Sequence, residues 1–226
     1  IDDVAMNVIL NEGKTLPNAN AYKDYFRWVA TGLEEPMTTH ADRFKYNTGY
    51  GMSAYDKGSI FLSQLQYIIG KENFDNTLKK YFNDWSFRHP KPNDFIRSAE
   101  KVSGLELDWY LLDWAQSTMT IDYSINSIYG VDNRTKIILK RIGQMGMPID
   151  IRILLKTGDC LDYNIPMTKM RGSKPLNNSS LLKSWSWAKP YYEFWLDLDI
   201  KNISKILIDP KNEMADINRN NNYLDL

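Results

Sequence analysis

Cysteine is almost missing from this sequence. Cys160 stands alone among 226 residues, which excludes an internal disulfide framework and any multi-cysteine zinc site. Histidine is nearly as scarce. His40 and His89 are far apart, and no H-x-x-x-H pair exists, so no helix can present two imidazoles one turn apart. Net charge is also absent: 28 Lys and Arg balance 28 Asp and Glu. That balance gives no field for nucleic acid or an anionic membrane, and neither is expected as a partner. No apolar run approaches the roughly 20 residues that span a bilayer. There is no G-x-S-x-G elbow, and the Gly49-x-Gly51 pair does not follow a strand as a phosphate loop would. The first residues hold no basic segment, signal-type apolar core or cleavage site, so no cellular address can be read. They also lack Met, and "IDDVAMNVILNEG" is helix-patterned from its first residue, which suggests a fragment of something longer.

What is present changes character near residue 120. Before it the apolar period is 3.6. Helices are expected over Ile1 to about Asn11, Ala19–Thr31, Ser53–Ile69 with Gly70 as its stop, the "KENFDNTLKKYFNDWSF" stretch, a segment capped by Asn93, and "LELDWYLLDWAQS". Phe74, Leu78, Tyr81, Phe82 and Trp85 are expected on a buried face, as are Trp109, Leu112 and Trp114. After residue 120 the period falls to 2. Six runs, from "IDYSINSIYG" to "SKILIDP", alternate between turn signals, with a long loop over 172–190. The expected fold class is α+β: a helical part, 1–119, followed by a small antiparallel β-sandwich of immunoglobulin-like size, 120–226.

The chemistry concentrates in "SAYDKG". Ser53 is a good N-cap and Asp56 completes a capping-box-like pair, which puts Tyr55 in the first helical turn. There the free N–H groups create positive potential, and a phenol aimed into a cleft is a donor for a developing oxyanion. Most Tyr residues at a helix start simply pack or reach solvent, and the spacing alone favours that reading. For Asp56 and Lys57, capping and solvation are sufficient. His40, close to Asp42, is read as a loop hydrogen-bonding residue, His89 as structural and Cys160 as packed or idle.

Tyr55-Asp56-Lys57-Gly58, the helix stop Gly70, Phe74, Leu78 and Tyr81, Asp94-Phe95, Ser103-Gly104, Leu107 and Trp114 form an ordered set over some 60 residues. That set resembles the M1 family of zinc aminopeptidases, the gluzincins. The tail, "MPIDIRILLKTGD" and "ILIDPKNEMADINRNNN", is similar to the β-domain that follows the catalytic domain in bacterial members. The resemblance implies that Tyr55 donates its hydroxyl to the tetrahedral intermediate formed when zinc-bound water attacks a peptide carbonyl. It also implies that Tyr50 lines the substrate pocket, where core packing is an equal alternative.

The departures are as informative. The H-E-x-x-H helix that defines the family is absent. Asn11-Glu12-Gly13 imitates the context of the third zinc ligand, but Glu12 is set aside. It stands closer to Tyr55 than that ligand usually does, no histidine pair precedes it, and Gly13 is a natural helix stop. The reading is thus a C-terminal fragment of a zinc-dependent aminopeptidase acting on peptides. Zinc would be bound by the full-length enzyme through residues upstream, and the fragment would be inactive and prone to self-association. Exported bacterial relatives give only a lean on location. The rival reading is a non-catalytic module of the same fold that binds peptides or proteins.

Overall fold

The structure, a computed structural model, describes residues 18–226. The helix expected at the start of the chain, and Glu12 with it, lie outside the described residues. The chain divides into two compact units. One is helical and takes the described residues up to Ser103, then Leu107–Met119 and Asn212–Ala215. The other is built of sheets and takes Gly104–Glu106, Thr120–Lys211 and Asp216–Leu226.

In the helical unit α1 spans Ala19–Ala30, a 3₁₀ turn follows at Ala41–Arg43, and α2 spans Asn47–Gly51. A π-turn at Met52–Asp56 leads without interruption into α3, Lys57–Ile69. Then come α4, Lys71–Trp85, α5, Pro92–Ser103, and α6, Asp108–Ala115. Helix α3 is the axis of the unit. Ile60, Leu65, Ile68 and Ile69 are fully buried, each contributing about 1.5–3 kcal/mol through removal from water. Tyr110 stacks on Phe61 at 4.8 Å, and Trp114 lies against both Tyr110 and Tyr25. Gly70 ends α3 with φ +85°, as its place in the sequence suggests.

Three local expectations need correction. Pro92, not Asn93, opens α5, occupying the first helical position where its missing N–H costs nothing. Asp94 then accepts the Lys91 N–H at 2.8 Å. Phe82 and Leu112 share the period of their helices but are 68% and 56% exposed: Phe82 sits at the margin of its apolar stripe, and Leu112 lies on the one open face of α6, since Trp109, Tyr110, Leu111, Asp113, Trp114 and Ala115 fill the rest with buried side chains.

The second unit has two sheets. Strands β1 (Tyr123–Val131), β2 (Arg134–Arg141) and β6 (Tyr191–Leu196) form one, in the order β1-β2-β6. The other runs β5-β4-β3-β7-β8, from β3 (Ile149–Leu155), β4 (Cys160–Ile165), β5 (Ser180–Leu181), β7 (Ile203–Ile208) and β8 (Tyr223–Asp225). Asp132 and Asn133, both at positive φ, make the two-residue turn between β1 and β2. Ile137 and Leu139 of one sheet and Ile149, Ile151, Ile153 and Ile206 of the other are buried, and Tyr163 meets Phe194 at 6.1 Å between the sheets. All six expected strands form. Pairing is antiparallel except between β4 and β5, the latter a two-residue strand inside the stretch expected to be loop. The class is α+β.

Candidate active site

Tyr55 lies within the π-turn, with 69% of its surface exposed. The expected capping box does not form. The helical run begins eight residues before Tyr55, after the extended residue Tyr46, so Ser53 is internal to it. Ser53 is buried, and its hydroxyl donates to the Glu35 carbonyl at 3.4 Å. The helix-terminus potential invoked for Tyr55 therefore does not apply. In its place the Lys57 N–H donates to the Met52 carbonyl, an i→i−5 bond that widens the backbone around Tyr55. Such single π-turns inside α-helices occur frequently at functional sites.

A small residue lets α2, which leads into the turn, pass close to α1. Gly49 is buried, and a Cβ there would stand 3.3 Å from the Trp28 ring of α1. Tyr50, 42% exposed, sets its ring edge-to-face with Phe44 at 5.7 Å. Tyr50 and Tyr55 thus emerge from one continuous helical segment.

Lys57 departs most from expectation. It is not solvated: only 2% of it is exposed. Its Nζ lies 2.5 Å from Glu34 Oε1, whose side chain is 6% exposed, and 3.1 Å from the Ser117 carbonyl. The ammonium also sits 5.8 Å from the centre of the Trp114 ring. Burial pushes the Lys57 pKa below the ordinary lysine range, and the Glu34 carboxylate opposes that shift. The same carboxylate adds to burial in holding the Tyr25 phenol far above its usual range. Sequence reasoning missed Glu34 altogether. The usable signal was helical phase, since Lys57 shares a stripe with Ile60, Gln64 and Ile68.

His40 does what its sequence context suggests. Its Nδ1 accepts the Asp42 N–H at 3.3 Å and caps the 3₁₀ turn. His89 is exposed. Cys160 is exposed at the start of β4 rather than packed, because the strand end projects beyond the buried register. Among the described residues no three His, Cys, Asp or Glu side chains come together as a metal-ion site. The described residues therefore do not fit the zinc that the resemblance implies.

Residues 14–114 match the model of the Peptidase family M1 domain. No curated protein sequence matches the chain. Among solved structures, an aminopeptidase A of Legionella pneumophila in complex with aspartic acid is similar in fold, with a TM-score of 0.50 and 18% identity. The likeness covers 75% of this chain and 18% of that one, so this chain corresponds to less than a fifth of that enzyme's length. The family match contains Tyr50, Tyr55, Lys57 and the partner of Lys57, Glu34. Residues 14–114, somewhat less than half of the chain, are thus similar to the Peptidase family M1 domain.

Proposed function

We propose that this chain is part of a zinc-dependent aminopeptidase that removes N-terminal residues from peptides, and that Tyr55 is its oxyanion donor. The observation that carries the reading is the exposure of the Tyr55 phenol on a π-turn inside the segment that matches the M1 domain. When the scissile carbonyl is attacked, negative charge grows on its oxygen. A preplaced O–H at hydrogen-bond distance stabilises that charge more than it stabilises the neutral carbonyl, which lowers the barrier. Tyr50 lines the pocket for the substrate side chain. Zinc has no ligand set among the described residues, so its ligands would be supplied by polypeptide outside them. This chain alone is then expected to bind no stoichiometric zinc and to hydrolyse no peptide. Phe82, Phe87 and Leu112, all exposed, support self-association of the isolated chain. A single monomeric species at every concentration in sedimentation would count against that.

The deciding experiment is Tyr55→Phe in the complete protein, assayed for release of N-terminal residues. The expected result is a loss of about 100–1,000-fold in kcat with KM little changed. Unchanged turnover would remove Tyr55 from the chemistry. A complete protein that captures peptides without cleaving them would favour the binding-module reading.

A further inference from the structure

The two residues Glu34 and Glu35 hold the π-turn on both sides of Tyr55. Two positions before it, the Ser53 hydroxyl donates to the Glu35 carbonyl at 3.4 Å. Two positions after it, Lys57 reaches the Glu34 carboxylate at 2.5 Å. Lys57 has a double role there. Its side chain is anchored by Glu34 and by the Ser117 carbonyl, and its backbone N–H makes the i→i−5 bond that defines the turn. Tyr55 is thus the exposed midpoint of a backbone loop fixed at both ends from inside.

Stability alone is a poor reason for that arrangement. A buried ion pair recovers at best its own desolvation cost, and apolar side chains of similar volume serve a core as well or better. What a charged pair adds is direction, because an ammonium between a carboxylate and a carbonyl has few acceptable positions. A hydroxyl that must meet a developing oxyanion needs that kind of fixed aim. We infer that Glu34 and Lys57 are positioning residues: with the Glu35 carbonyl they form a clamp that holds the π-turn and so sets the direction of the Tyr55 phenol. This rests on the catalytic reading of Tyr55 for its purpose, though not for its geometry.

The test pairs activity with local protection. In the complete protein, Glu34→Gln with Lys57→Met removes both charges together and leaves no lone buried charge. The expected result is a kcat lower by roughly 10–100-fold, with KM nearly unchanged. Added to Tyr55→Phe, the same double change should cause no further loss, because a clamp that acts through the phenol has nothing left to aim. A kcat like that of the parent, or a full multiplicative loss on the Tyr55→Phe background, would overturn the clamp and leave Tyr55 standing. An inert Tyr55→Phe would instead overturn the catalytic reading, and amide hydrogen exchange would then decide the clamp. The same holds if the double variant fails to fold. Ser53→Ala removes one anchor without touching a charge, and it should speed exchange across Met52–Lys57 roughly tenfold while α4 keeps its protection. Unchanged exchange in the turn would refute the clamp.

Discussion

The hydroxyl of Tyr22 in α1 donates to the carbonyl of Glu213 at 2.6 Å, across almost the full described length of the chain. Gln64 of α3 completes the contact. Its amide nitrogen donates to the same carbonyl at 2.8 Å and to the Tyr22 oxygen at 2.7 Å, while its own carbonyl accepts the Ala215 N–H at 3.0 Å. Asn212–Ala215 is thereby held within the helical unit by a side chain that is 0% exposed.

Replacing Gln64 by Leu keeps the volume and removes all three bonds. The Ala215 N–H is then buried without an acceptor, and the loss should be about 1–3 kcal/mol. Urea unfolding followed by far-ultraviolet circular dichroism measures it. A midpoint equal to the parent's would mean that the segment is held by packing alone.

Gly70 joins α3 to α4 with φ 85° and ψ 154°, a region that a side chain makes strained. Its N–H still donates to Gln66 and its carbonyl still accepts from Phe74, so the backbone cannot relax without breaking helical bonds at both sides. Gly70→Ala should cost about 1–3 kcal/mol. The thermal midpoint reports it, and a change within measurement error would show that the link readily adopts another conformation.

These positions show which features the sequence makes legible. Gly70 was readable because a glycine closing an apolar helical stripe has one common use, and the six strands were readable because alternation has one period. The burial of Gln64 and Lys57 was readable in principle, since both lie in phase with Ile60 and Ile68. Their partners were not, because Glu34 and Glu213 come from loops with no periodicity to place them. The π-turn left no trace in composition. Adding one residue to a helical turn needs no special residue type, so "SAYDKG" read as a helix start when it lies inside a helix. The helix-end potential invoked for the Tyr55 hydroxyl falls with that reading, whereas its exposure is a finding of the structure.

Asp216 provides a pH test in the sheet unit. It is fully buried, and burial is the main cause of its pKa rising from 3.8 to about 6. Nearby Asp122 pushes the same way. The N–H groups of Tyr123 and Asn218, both at 2.9 Å, and the Asn222 side chain oppose it. The folded state therefore holds this proton more tightly than the unfolded chain. The stability gained is complete below about pH 4 and is lost as pH rises through 6, an effect of about 2–3 kcal/mol. Asp162, lowered by its bond to Arg152, changes stability in the opposite sense at lower pH, so the comparison must be between the parent and Asp216→Asn. The parent should lose stability relative to that variant between pH 4 and 7. Parallel profiles would show that the carboxyl is ionised in the fold at an ordinary pH.

Tyr50 separates binding from chemistry. Its ring rests edge-to-face on Phe44, a contact worth about 0.5–1.5 kcal/mol, and 42% of the residue remains exposed. If that exposed part meets the substrate's first side chain, Tyr50→Ala in the complete protein should raise KM by about 3–10-fold, the effect of roughly 1 kcal/mol of lost contact. The kcat should stay near the parent value, because the contact is the same in ground and transition states. Tyr55→Phe should show the reverse split. If Tyr50→Ala lowers the thermal midpoint and leaves both kinetic constants alone, the ring serves Phe44 only, and the substrate pocket lies elsewhere.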